Sequence, residues 1–188
     1  FEACEGGYRA LISYSDQSAT EEFAQFFNVV FGNSSLLPGI TVERINLSEE
    51  LLEWFPGPKF GVAGLRERLG AYDRPLAFTA LKPMGLPTVA LADEAYHCAK
   101  GGVDLIKDDH GLMNQTFSDY KDRVKAVCEA VRQGNEESGH HTAYVPNLSG
   151  RCDALMDRIR YAEDCGAGGI MLAPGLVGYD TMQYAARN

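Results

Sequence analysis

The chain has 188 residues, with 26 acidic against 17 basic side chains, a formal net charge of −9 and a pI near 4.9. That balance excludes non-specific binding to nucleic acid or to an anionic membrane surface. At 45% hydrophobic and 23% charged residues the composition fits one ordinary globular domain or pieces of two, with enough apolar content for a core.

No run approaches the ~18–20 apolar residues of a membrane span, and no charged-then-apolar leader opens the sequence. Cys4, Cys98, Cys128, Cys152 and Cys165 are scattered and never form a C-x-x-C pair. They read as reduced thiols of a cytoplasmic protein rather than a disulfide framework or a zinc site. The chain starts at Phe1 and stops at Asn188 inside a helical pattern, so both ends are expected to be cut.

In chain order, "YRALISYS" (8–15) alternates as a strand. "SATEEFAQFFNVVFG" (18–32) predicts a helix with Ser18 as N-cap, Glu21 three residues on, and Gly32 as its end. Phe23, Phe26, Phe27 and Val30 share one helical face. "GITVERINL" (39–47) predicts a second strand, alternating at Ile40, Val42, Arg44 and Asn46. From Ser48 to Gly61 the texture changes, and "WFPGPKFG" carries the turn-forming residues of a boundary or fixed loop. Trp54 and Phe55 are expected to pin that loop to a core. "VAGLRERLGAY" (62–72) is a short helix.

A rhythm follows. "PLAFTALKP" (75–83), "GVDLIKDD" (102–109), "HTAYVPN" (141–147) and "GIMLAP" (169–174) read as short buried strands. Residues 88–101, 120–139 and 152–168 between them have helical patterns. Apolar strands alternating with amphipathic helices predict βαβ units on a parallel sheet. The polar residues Lys82, Lys107, Asp109 and Asn147 then fall at strand ends, the active-site face if the sheet belongs to a (β/α)8 barrel. A complete barrel takes about 250 residues and eight units, so four units imply either an open α/β sheet or half of a barrel.

Chemistry concentrates in "GGVDLIKDDHGLMNQ" (101–115). A protonated lysine cannot bind a metal, but its neutral amine can react with CO2 to give a carbamate with carboxylate-like oxygens. A carbamylated Lys107 beside Asp109 would present two anionic oxygen ligands, which Mg2+ prefers. Strand alternation sends residues 107 and 109 one way and Asp108 the other. A solvated charged loop that opens the next helix explains the same spacing. Lys82, in "ALKPMGLP", would be held by Pro83 and Gly85 to exchange a proton with a carbonyl substrate, or would form a rim ion pair. His97 reads as a packing or surface residue of a helix. His140 and His141 precede a strand at the end away from the chemistry, which leaves His110 in place.

"GPKFGVAGLRERLGAYDRPL", "LKPMGL", "GGVDLIKDDH" and "YVPNLSGR" occur in the order and spacing of the RuBisCO large-chain family. The sequence is most similar to the RuBisCO-like (form IV) proteins. The resemblance implies an α/β fold: the first half of a (β/α)8 TIM barrel, preceded by the end of a ferredoxin-like α+β domain. Residues 1–47 would be the C-terminal part of that domain, 48–74 a linker and helix, and 75–188 barrel units one to four.

By the same resemblance Lys107 matches the carbamylated lysine and Asp109 a magnesium-binding aspartate, while His110 stands where a metal-binding glutamate follows. Lys82 matches the first lysine of the family's K-P-K motif and Met84 replaces the second. A metal-proximal asparagine of the N-terminal domain falls at Asn28 or Val29. Met84 cannot help polarise CO2, which excludes carbon fixation. His110 would be a nitrogen ligand, which weakens a magnesium site or suits a softer divalent ion, or would act as an acid or base.

The implied reaction is metal-assisted enolisation of a phosphorylated keto sugar or sugar acid. Decarboxylation or carboxyl transfer on a 3-oxo sugar-acid phosphate is preferred, because His110 departs from the sulfur-salvage enolases. The alternatives are an enolase or isomerase of a methylthio-sugar phosphate in methionine salvage, and a non-catalytic binding or regulatory relative. Expected partners are a phosphorylated small molecule, bound in part through Lys82 and Asn147, and a second copy of the complete polypeptide. The cofactors implied are Mg2+ or another divalent ion, and CO2 as lysine carbamate.

Overall fold

The computed structural model describes residues 1–55 and 57–187. The chain divides into two units, Phe1–Lys59 and Phe60–Asn188. The division falls inside the stretch expected to link two domains. Pro56, in the middle of that stretch, lies outside the described residues.

The first unit opens with a small antiparallel hairpin, β1 (Glu2–Cys4) against β2 (Gly7–Arg9). The strand expected over 8–15 therefore ends at Arg9, and the one expected over 39–47 forms no ladder among the described residues. Alternation marks a segment suited to a pleated surface, but a strand also needs a hydrogen-bonding neighbour. Ile40, Val42 and Ile45 are exposed here. The side chains do approach the hairpin, since Arg9 Nε meets Glu43 Oε2 at 2.8 Å.

The helix start is also displaced. Ser15, not Ser18, acts as a cap, accepting from Gln17 N and closing a 3₁₀ turn over Asp16–Ser18. The helix α1 (Phe23–Phe31) begins only where its aromatic face begins, and Gly32 ends it as expected. Phe55 stands edge-on to Phe23, with ring centroids 5.2 Å apart, and 5.7 Å from Phe26. It thus pins the end of α2 (Glu49–Trp54), whose start is capped by Ser48, onto α1.

In the second unit α3 (Gly61–Leu69) stops at Gly70, whose left-handed backbone (φ 60°) suits glycine. The βα rhythm then follows the sequence. β3 (Phe78–Ala80), β4 (Leu105–Lys107) and β5 (Ala143–Val145) form a parallel sheet in that order, in register Ala80↔Lys107↔Val145. α4 (Thr88–Lys100) connects the first pair, and α5 (Tyr120–Ser138) the second. Asp119 starts α5, its Oδ1 accepting from Lys121 N at 2.9 Å.

After α6 (Leu155–Asp164), the fourth expected strand is a single parallel bridge, Asn147↔Met171. Met171 N donates to Pro146 O and Leu148 N to Met171 O, both at 2.9 Å. The chain closes with α7 (Pro174–Val177) and α8 (Tyr179–Arg187).

The core lies between the sheet and α4 and α5, with Leu81, Leu91, Ile106, Val124, Val127 and Tyr144 all at 2% exposure or less. Each such aliphatic side chain contributes about 1.5–3 kcal/mol by leaving water. At the N-terminal end of the strands Arg74 forks onto Asp104 at 2.7 and 2.6 Å. That guanidinium holds the Asp104 carboxyl below its ordinary range. The opposite end, where all three strands finish together, is left for polar loops.

Candidate functional site

Because the strands are parallel and in register, the residues following β3, β4 and β5 meet at one mouth. Lys82 follows β3, and its Nζ lies 3.9 Å from Asp109 Oδ1. Lys82 N donates to the Glu94 carboxylate of α4 at 3.1 Å. Partial burial moves that carboxylate above its ordinary pKa. Lys107, the last residue of β4, donates from Nζ to the Asp108 carbonyl at 2.8 Å. The Asp109 side chain is only 14% exposed, and its Oδ1 accepts from His110 N at 2.8 Å and lies 3.1 Å from His110 Nδ1. The His110 ring itself is 89% exposed. Met84 rests on the same loop, its Sδ beside the Gly111 backbone.

Lys82, Asp109 and His110 are thus brought together, with Lys107 at the base of the same loop. Asn147 is at the mouth but 1% exposed. Its Nδ2 donates to His110 O at 2.7 Å and its Oδ1 accepts from Ser149 N at 2.9 Å, so its amide meets backbone rather than open space. Asn28 and Val29 lie on α1 in the first unit. His97 is on the exposed face of α4, 3.7 Å from Asp93. His140 sits against Gly102, at the N-terminal end of the sheet.

Asp108 points opposite to Asp109 and is completely buried. Its Oδ2 accepts from Arg123 Nε at 3.3 Å and Asn147 N at 2.9 Å, and its Oδ1 from Tyr144 Oη at 2.7 Å. Burial pushes the Asp108 carboxyl up and the Arg123 charge opposes it. Burial likewise drives the Tyr144 hydroxyl well above its usual value. Arg123 also donates to Met113 O at 2.6 Å and Ser118 O at 3.0 Å, spanning the loop that follows β4.

The sequence reading passed over this hub. Its signal was there: Arg123 falls on the apolar stripe Tyr120, Val124, Val127, Val131 of α5, where an unpaired charge would be untenable.

Among the described residues no three His, Cys, Asp or Glu side chains converge as a metal cage. The donor set at the mouth nonetheless fits a hard divalent ion in kind. Asp109 supplies carboxylate oxygen, and Lys107 would supply carbamate oxygen once modified. His110 is the only nitrogen donor of the set. A cavity of about 700 Å3 lies elsewhere, between α5, β5 and α6, bordered by Thr142 and Gly166 near the strands' N-terminal ends.

A sequence profile described as the ribulose bisphosphate carboxylase large chain, catalytic domain, matches residues 61–188. The chain is 41% identical over 181 residues to the 5-methylthioribulose-1-phosphate isomerase of Rhodospirillum rubrum, covering 96% of this chain and 48% of that protein. It is 32% identical over 178 residues to the 2,3-diketo-5-methylthiopentyl-1-phosphate enolase of Bacillus pumilus, covering 94% and 44%. The crystal structure of a Rubisco-like protein from Rhodopseudomonas palustris superposes with a TM-score of 0.85 at 42% identity, over 90% of this chain and 49% of that one. The chain therefore spans about half the length of these relatives. Its second unit has the α/β fold of part of a (β/α)8 barrel.

Proposed function

Since the chain belongs to the RuBisCO large-chain family, we propose that it carries the metal-site half of a RuBisCO-like enzyme that enolises a phosphorylated keto sugar and does not fix CO2. The observation that carries this reading is the meeting of Lys82, Asp109 and His110 at the C-terminal ends of two adjacent parallel strands. In this reading residues 1–47 are the end of a ferredoxin-like domain. The complete polypeptide works in the cytoplasm as a homodimer.

Two relatives are named for methylthio-sugar phosphates. They favour the methionine-salvage alternative over the sugar-acid decarboxylase that His110 alone suggested. The isomerase, at 41% against 32% identity, favours isomerisation within it.

Lys107, as its carbamate, and Asp109 would hold a divalent ion, with His110 as a third donor or as a free acid or base. The ion would supply Lewis-acid polarisation of the substrate carbonyl. Lys82 delivers or accepts a proton at that carbonyl, held near Asp109 by the loop after β3. Asp109 keeps the Lys82 ammonium and the His110 ring on one side of the mouth. Met84 puts a thioether where a second cation would be needed to stabilise a carboxylated product.

The test is proton exchange. The native-length polypeptide, with Mg2+ and bicarbonate in D2O, is incubated with 5-methylthioribulose 1-phosphate and with a 3-oxo sugar-acid phosphate. NMR follows the signal α to the carbonyl. Exchange with the first substrate, slowed about 10²–10⁴-fold by Lys82→Ala, is the expected result. Exchange with neither would overturn the enzymatic reading in favour of a binding relative.

A further inference from the structure

The mouth is braced from beneath by a continuous buried chain of polar contacts that no step of the proposed chemistry uses. Asp108 joins the end of β4 to β5 through Tyr144 Oη and Asn147 N, and to α5 through Arg123. Asn147 carries the chain to the His110 carbonyl on one side and to Ser149 N on the other. Ser149 Oγ then accepts from Ala173 N at 2.8 Å, in the loop that follows the fourth parallel segment. Toward α4, Ser118 takes part twice. Its carbonyl accepts from Arg123, and its Oγ lies 2.9 Å from Thr88 Oγ1. Three successive βα loops and the start of α4 are thereby tied together.

The burial is extreme for such groups. Asp108 and Arg123 are 0% exposed, Asn147 1% and Ser149 3%. An ion pair in that position contributes little net stability, because desolvating both charges offsets their attraction. Replacing it by apolar residues would hold the fold as well. What apolar residues would not do is specify where the backbone of residues 108–110 lies, since dispersion is not directional, whereas the four hydrogen bonds that reach Asp108 and His110 O from Arg123, Tyr144 and Asn147 are. Asp109 and His110 ride on that backbone, and Lys82 is met only if Asp109 is aimed correctly.

We propose that Asp108, Arg123 and Asn147 are positioning residues, which fix the backbone of 108–110 and thereby orient the Asp109 carboxylate toward the ligand mouth. The inference rests on the reading of Asp109 as a metal ligand. Asn147 is the informative member: its side-chain bond to His110 O can be removed without stranding a buried charge.

In the native-length polypeptide, Asn147→Ser keeps a short, uncharged side-chain oxygen for Ser149 N and loses the donor that reaches His110 O, whereas Asn147→Ala loses both. Three quantities are read: Mn2+ affinity from water-proton relaxation after bicarbonate treatment, hydrogen exchange of residues 108–113, and the split between kcat and KM. The expected result for Asn147→Ser is a 10–100-fold loss of Mn2+ affinity, the usual effect of removing a partner that orients a ligand. Faster exchange confined to 108–113 and a fall in kcat with KM within twofold should accompany it. A folded Asn147→Ser protein with Mn2+ affinity within twofold of native, or unchanged exchange at 108–113, would overturn the inference. If Asn147→Ala does not fold, Asn147→Ser alone decides. Failure of the native protein to bind Mn2+ would instead strike the metal reading of Asp109, leaving the exchange result to judge the bracing.

Discussion

Asp109 turns a 14% exposed carboxylate toward the mouth, while Asp108, one residue earlier, has no exposure and faces Arg123. The two should respond unequally to substitution. Asp108→Ala leaves a buried guanidinium without its counter-charge, and breaking such a pair costs about 3–5 kcal/mol. Asp109→Asn removes an ion pair with a Lys82 side chain that is 62% exposed, worth at most about 1 kcal/mol. Urea unfolding of both variants in the native-length polypeptide checks the ordering; equal losses would mean that Asp108 is not the hub. At this scale the sequence was partly legible. Lys107, Asp109 and His110 announce themselves as a cation and two candidate ligands at a strand end, and period-two alternation separates Asp108 from Asp109. Alternation does not say what Asp108 points into. That required Arg123 and Tyr144 from elements 15 and 36 residues away.

α4 and α5 approach closely where α5 carries Gly134. A Cβ there would lie 2.8 Å from Tyr96 O, 2.9 Å from Ala99 Cβ and 3.1 Å from Lys100 N. Two of those three atoms are backbone and cannot swing aside. Gly134→Ala would gain about 1 kcal/mol of helix propensity in isolation, against overpacking of about 1–3 kcal/mol. The expected outcome is net destabilisation, seen as a lower urea midpoint with unchanged m-value; a higher midpoint would show that the helices can part. The existence and type of α3 to α6 were readable, because each has an amphipathic period and a start or stop signal such as Asp119 or Gly70. The first unit was read less well. Its alternating segments at 8–15 and 39–47 have the composition of strands, but pairing beyond Arg9 is absent among the described residues. Ser18, a plausible cap by sequence, lost to Ser15 because the aromatic run begins only at Phe23.

At the scale of the molecule, the sheet runs β3-β4-β5 with a further bridge at Met171, and among the described residues β3 pairs with β4 alone. Phe78, in β3, is 59% exposed, and an uncovered strand with an apolar side chain invites pairing with other chains. Produced by itself, the 188-residue chain should self-associate on gel filtration and show no substrate proton exchange; a monodisperse monomer with turnover would refute this. The residues alone determined that the second unit is built of βα units on a parallel sheet, and that lysine, aspartate and histidine side chains sit at strand ends. Both follow from short-range facts: the periods 2 and 3.6, and capping. Only the tertiary structure decided which of those residues meet. Register brought Lys82 within 3.9 Å of Asp109, and packing aimed the Asn147 amide at His110 O and Ser149 N. Distances between segments far apart in sequence depend on how side chains pack between them, and no local pattern encodes that.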